Sequence, residues 1–115
     1  MPILGFNNSL NKQPSEILSI RTEWADVAAS LILSGYVINA VDLTVLDGSG
    51  NNSTASMVSG SASIDAGNHY VLATIKNGAD GRDYFARFKT TWTKTAQTDQ
   101  IIERDLKIEV RQKGF

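Results

Sequence analysis

The chain of 115 residues has no cysteine, a single histidine (His69) and only two prolines, Pro2 and Pro14. Without thiols there is no disulfide frame, no thiolate zinc site and no cysteine nucleophile. The sequence fits a protein made in a reducing cytosol better than a small secreted scaffold stapled by bridges. A lone histidine makes no histidine-rich metal site and offers no Ser–His–Asp set that sequence proximity supports. Long hydrophobic runs are also missing. The longest mostly apolar stretch, Val27 to Leu33, is too short to span a bilayer, and Met1 to Phe6 lacks the basic start of a secretory signal. The expectation is a soluble protein with no membrane partner. Neither sign of charge dominates: 11 Lys and Arg face 12 Asp and Glu, for a net charge of −1. That leaves no basic footprint for nucleic acid. The distribution is less even, with residues 1 to 75 at −4 and the last 40 residues at +3. Either the fold interleaves these halves and mixes the charges, or an acidic face meets a basic face of a neighbouring subunit.

What the chain does have is alternation. Tyr84, Ala86, Phe88, Thr90 and Trp92 fall on one face of an extended segment, and Arg87, Lys89, Thr91 and Thr93 on the other. Leu106, Ile108 and Val110 likewise oppose Glu103, Asp105, Lys107, Glu109 and Arg111. A period of two marks strands with one buried and one wet face. Ile17 to Trp24 and Tyr36 to Leu46 read as further strands, and His69 to Lys76, apolar on both faces, as a central one. Between the first two, Asp26 to Leu33 switches to helical spacing and meets Gly35, which predicts one or two helical turns crossing the mouth of the fold. Ser53 to Ile64 is small and polar and reads as a weak or edge strand. Asn77-Gly78-Ala79-Asp80-Gly81, between two strong strands, predicts a hairpin. The sum is an all-β, immunoglobulin-like antiparallel sandwich of about six or seven strands with one short helical crossover. Residues 1 to 13, polar and turn-rich, read as an extended N-terminal arm, and residues 14 to 115 as the sandwich domain.

The sequence offers no constellation for catalysis, and the expectation is a non-enzymatic protein without cofactor or metal. Asp47, Ser49 and Asn51 mimic the first ligands of a calcium loop, but Asn52 stands where the sharp turn needs glycine and Val58 where the bidentate glutamate belongs. Asp80 and Asp83 flank a turn that has its own reason for an Asp-Gly pair. Gly78 and Gly81 form no phosphate loop. Trp24, Trp92, Tyr36, Tyr70 and Tyr84 serve either as core or as an aromatic platform for sugars. Candidate contact residues for assembly are Gly5, Phe6 and Asn7 in the arm, Asp47, Asn51 and Asn52 in the turn cluster, and Met57 and Val58 in the weak edge segment.

Two segments taken together carry a resemblance. Lys12-Gln13-Pro14-Ser15-Glu16, opening a strand that ends at Glu23-Trp24, resembles the start of small phage and prophage structural proteins of the fibre–tail adaptor type. Those proteins continue with a glycine–aspartate–glycine turn followed by tyrosine, a threonine-rich strand and a last strand with an acidic start. Gly78 to Tyr84, Thr90-Thr91-Trp92-Thr93 and Glu103 to Val110 fit that order. The chain departs from the pattern at Glu23, where aspartate is commoner, and in the glycine-free Lys94 to Asp99 loop. The resemblance implies a virion component of the tail, made in the cytoplasm of a bacterial host. It would assemble as a homo-oligomeric ring with other tail or fibre proteins, with no catalytic residues to transfer. The alternative expectation is an immunoglobulin-like cell-surface or carbohydrate-binding module.

Overall fold

The computed structural model describes residues 3–65, 67 and 69–112. Met1 and Pro2 of the expected arm, Ala66 and Asn68 of the expected turn after Asp65, and residues 113–115 lie outside the described residues. Among the described residues eight strands form two sheets: β1 (Ile3–Leu4), β2 (Ser9–Lys12), β3 (Leu18–Glu23), β4 (Val37–Asp47), β5 (Ser63–Asp65), β6 (Tyr70–Ile75), β7 (Arg82–Thr93) and β8 (Gln100–Val110). One sheet runs β1-β3-β6-β5 and the other β2-β8-β7-β4. With β3 as strand B, β4 as C, β6 as E, β7 as F and β8 as G, this is the strand order of an immunoglobulin-type sandwich, A-B-E-D against C-F-G. The first strand is split between the sheets: β1 joins β3 and β2 joins β8, both in parallel. The remaining pairings are antiparallel.

The long strands stand where alternation places them. In β7 the buried residues Tyr84, Ala86, Phe88, Thr90 and Trp92 follow each other at intervals of two, and β8 adds Leu106, Ile108 and Val110. β6 is central in its sheet, between β3 and β5. The helical crossover is α1 (Ala29–Leu33), closed by a Schellman arrangement. Tyr36 N–H donates to Leu31 O at 2.9 Å and Gly35 N–H to Ile32 O at 3.0 Å, with Gly35 at φ +92°.

Three expectations are corrected. The described residues of the expected arm, 3 to 13, are not an arm: Ile3–Leu4 and Ser9–Lys12 are sheet strands, Leu10 is 5% exposed, and the ring of Phe6 meets Trp24 edge-on at 4.7 Å and Phe88 at 6.0 Å. The polar spacing of Ser9 and Asn11 hid a strand that pairs through its backbone along β8. The domain therefore begins before residue 14, and the strand count rises to eight. Second, Asn77–Gly81 is not a hairpin. β6 and β7 lie in different sheets, so these residues turn the corner between them. The local chemistry is as expected, with Asn77, Gly78 and Gly81 all at positive φ. Third, Ser53 to Ile64 is no single edge strand. It holds one helical turn, α2 (Thr54–Met57), an isolated bridge between Val58 and Ile75, and β5 only from Ser63.

Two tryptophans anchor the core, each by the same device. Trp24 Nε1–H donates to Thr22 Oγ1 at 3.0 Å, and Thr22 Oγ1–H to Val71 O on the neighbouring strand at 3.2 Å. Trp92 Nε1–H donates to Thr90 Oγ1 at 2.9 Å, and Thr90 Oγ1–H to Ile102 O at 3.0 Å. All four side chains are fully buried, so each sheet satisfies its indole N–H internally. At the corner after β6, the hydroxyl of Tyr84 accepts from Ala79 N–H at 3.0 Å. A tyrosine near the start of strand F, bonded back to upstream backbone, is the tyrosine corner of this fold.

Candidate functional site: the clasped end and the open strand edge

The Lys-x-Pro-x-Glu segment folds back on itself. Glu16 N–H donates to Gln13 O at 3.1 Å while the Glu16 carboxylate accepts from Gln13 N–H at 2.6 Å, closing a reciprocal turn. Lys12 is 3% exposed, and its ammonium donates to Gln13 O, Pro14 O and Asn77 O. Burial pushes the Lys12 pKa down, opposed by the nearby Glu16 carboxylate. Asn77 opens the inter-sheet corner, so this lysine ties the end of β2 to that corner. Gln112 completes the junction: its side-chain amide donates to Gln13 Oε1 at 3.0 Å and its N–H to Asp80 Oδ1 at 2.7 Å. Segments 12–16, 77–84 and the end of β8 thus meet at one end of the sandwich.

The candidate contact residues separate. Gly5, Phe6 and Asn7 line one cleft of about 580 Å³ together with Glu23, Asp26 and Arg104. Within it Phe6 turns its ring toward the core aromatics, which leaves Asn7 as the exposed member. Asp47, Asn51 and Asn52 share a loop that organises itself. The Asp47 carboxylate accepts from Ser49 N–H and Asn51 N–H, both at 2.9 Å, and these bonds hold its pKa below the usual carboxylate range. The carboxylate is turned onto its own loop. Met57 is corrected outright: at 1% exposure it belongs to the core, and only unfolding would bring it to a partner. Val58 is half-buried in a second cleft, with Val41, Leu43 and Ala62.

That second cleft lies along the free edge of β4, the last strand of its sheet. Val45 N–H donates to Thr54 Oγ1 at 2.8 Å, Val45 O accepts from Ser53 N–H at 2.7 Å, and Asp47 N–H donates to Asn51 O at 2.9 Å. The loop after β4 therefore covers the edge at residues 45 to 47. Backbone groups two residues apart on a strand point the same way, so those of Val41 and Leu43 also point to this edge. They have no hydrogen-bond partner there among the described residues. Towards the start of β4, a bulge between Ile38 and Ala40 ends the regular stretch.

β8 also has an open stretch, since β2 pairs only with Lys107 to Val110. It is guarded by Glu103, Arg104 and Asp105, and Arg104 donates to Glu103 O at 2.8 Å. Charged side chains of this kind discourage strand addition. On the outer face of the same sheet, Arg87 reaches Glu103 at 3.1 Å and Asp105 at 3.0 Å, and Arg111 reaches Asp83 at 2.8 Å. These ion pairs stay within the β7–β8 hairpin. The aromatics form no platform among the described residues: Trp24, Trp92 and Tyr84 are buried, Tyr36 reaches over to Thr98 O, and Tyr70 stacks under Arg21 in the other sheet.

Sequence reasoning found the loop and the turn chemistry but missed Lys12 as a buried clasp, the paired Thr-x-Trp relays and the β4 edge. The repeated threonine two residues before tryptophan was a visible signal. The edge had none, because which strand lies last in a sheet follows from topology. No helix among the described residues is long and apolar enough to cross a membrane. No known protein-family model matches the chain, and no curated protein matches it.

Proposed function

We propose that this chain is a non-enzymatic structural component of a phage or prophage tail, an adaptor that joins tail or fibre proteins through surface contacts. The reading is carried by the convergence at the clasped end. Three of the segments that carry the resemblance to fibre–tail adaptors, 12–16, 78–84 and the last strand, are far apart in sequence, while Glu23-Trp24 and Thr90–Thr93 lie outside the clasped end. The three are knit together by Lys12, Gln13, Asp80 and Gln112. Three of the short motifs therefore meet at one junction, completed by Asn77 and Gln112 beside them, and that convergence supports the reading. A rigid sandwich of this kind contributes loops and strand edges, and several copies in a ring turn weak contacts into a durable joint. In this reading the protein is made in the host cytoplasm and ends in the virion tail.

The test is the mass of the purified chain by analytical ultracentrifugation across concentration and salt, with a glycan array in parallel. A discrete ring-sized oligomer supports the adaptor. A strict monomer that binds a defined glycan overturns it in favour of a carbohydrate-binding module.

A further inference from the structure

We infer that the free edge of β4 takes up an extended segment of a different protein chain as an added β-strand. This rests on the adaptor reading and gives its joint a chemistry. In variable-type immunoglobulin sandwiches, the position beside strand C is filled by a further strand of the same chain. Here the chain leaves β4 by the segment at residues 48–54, which covers the edge only at Val45 to Asp47. The stretch from Ala40 to Thr44, ~17 Å long at strand rise, has no backbone partner on this edge among the described residues.

The groove beside it, about 270 Å³, has half-buried Val41 and Leu43 on one wall and Val58 and Ala62 on the other. Exposed Gly60 and Ser61 also line it and carry little side chain to obstruct a strand. The N–H and C=O groups of Val41 and Leu43 recur at the spacing that another strand satisfies, and main-chain bonds of this kind are the basis of strand addition. The incoming segment needs small or branched apolar residues at alternate positions, to meet Val41, Leu43 and Val58. Asp42 is the acidic residue in the open stretch; Lys89 of β7 stands opposite it on one side, and a lysine or arginine on the guest strand would flank it on the other. A second copy of this chain is a poor guest. A two-fold pairing that uses both open positions sets Val41 against Leu43 and Asp42 against Asp42, and like charges directly opposite are unfavourable.

The probe is a capped peptide about eight residues long, alternating valine with threonine and with one central lysine. It is added to the full-length labelled protein, and amide hydrogen exchange is read by NMR. In the dilute free protein, Val41 and Leu43 should exchange at least about tenfold faster than Asp42 and Thr44, which face β7. Millimolar peptide should slow those two amides by about tenfold while leaving Val45 unchanged. Ser61→Arg should abolish the protection without unfolding the protein, and glutamate in place of the peptide lysine should weaken it.

Protected Val41 and Leu43 amides in the dilute free protein would overturn the inference, because the edge would not be open. So would failure to gain protection at saturating peptide. Protection that grows with protein concentration alone would make the guest a second copy and overturn it as well. The two readings fail separately. A chain that docks the peptide but binds glycan as a monomer loses the tail assignment and keeps the strand site. A ring whose Val41 and Leu43 amides stay unprotected at saturating peptide does the reverse.

Discussion

A methyl group on residue 78 would sit 2.8 Å from Val110 Cγ2 and 3.2 Å from Met57 Cε, at a backbone φ of +97°. Both the conformation and the space demand glycine, and Gly78→Ala should cost about 1–3 kcal/mol in chemical denaturation. Lys12 makes the opposite kind of demand. Its three carbonyl partners belong to half-buried Gln13 and Pro14 and to exposed Asn77, so Lys12→Met should lower stability by about 1 kcal/mol despite keeping an apolar stem. Tyr84→Phe removes one bond to the corner and should cost about 1 kcal/mol by the same measure. Asp47 supplies a pH dependence. Amide bonds hold its folded pKa below the unfolded value. Its contribution is therefore fully present above the unfolded pKa and is lost as pH falls through the folded one. Thermal melts between about pH 5 and about pH 2 should show a smaller acid loss for Asp47→Asn than for the parent. Of these residues, the sequence pattern made Gly78 and Asp47 legible as turn formers. It left Lys12 hidden, because a lone lysine beside proline looks like solvated surface until the corner at Asn77 folds against it.

Among the elements, β7 and β8 were legible because each buries one face over many residues, and alternation over such lengths has no other reading. α1 was legible from its change of period and its glycine stop. β1 and β2 were not, since two and four residues give too little period to see, and their stability comes from pairing with β3 and β8. The corner at residues 77–81 shows the limit of turn chemistry: it predicts that the chain reverses, not which sheet receives it. Truncation to residue 13 tests the element view directly. It removes Leu10, Phe6 and Lys12 together and uncovers Trp24 and Phe88, so it should cost about 3–5 kcal/mol or more and leave a shortened protein that does not melt cooperatively. A true arm would come away with little change in the melt.

At the scale of the molecule, the sandwich measures 55 × 25 × 22 Å with a radius of gyration of 14.8 Å. A compact domain of this length is expected near ~13 Å, so the particle is elongated. Sedimentation rate alone would therefore mistake its mass, and sedimentation equilibrium is the sounder measurement. The ion pairs of the β7–β8 hairpin are exposed, and such pairs contribute little and are screened by salt. Salt up to about 1 M should thus change the unfolding midpoint of the monomer only slightly. Any oligomer that dissociates over that range would be held by charges between subunits, not by loss of fold.

The two Thr-x-Trp relays give the molecule one intrinsic fluorophore per sheet. Trp24 follows β3 in the sheet of β1, β6 and β5, while Trp92 belongs to β7 in the other. Each indole is dry and bonded to a fixed hydroxyl, so each emits as a buried chromophore until its own sheet opens to water. Replacing one tryptophan at a time by phenylalanine turns the protein into two optical probes of itself. Superimposable unfolding curves from the pair would mean that the sheets melt as one cooperative unit, and curves that separate would show which sheet lets go first.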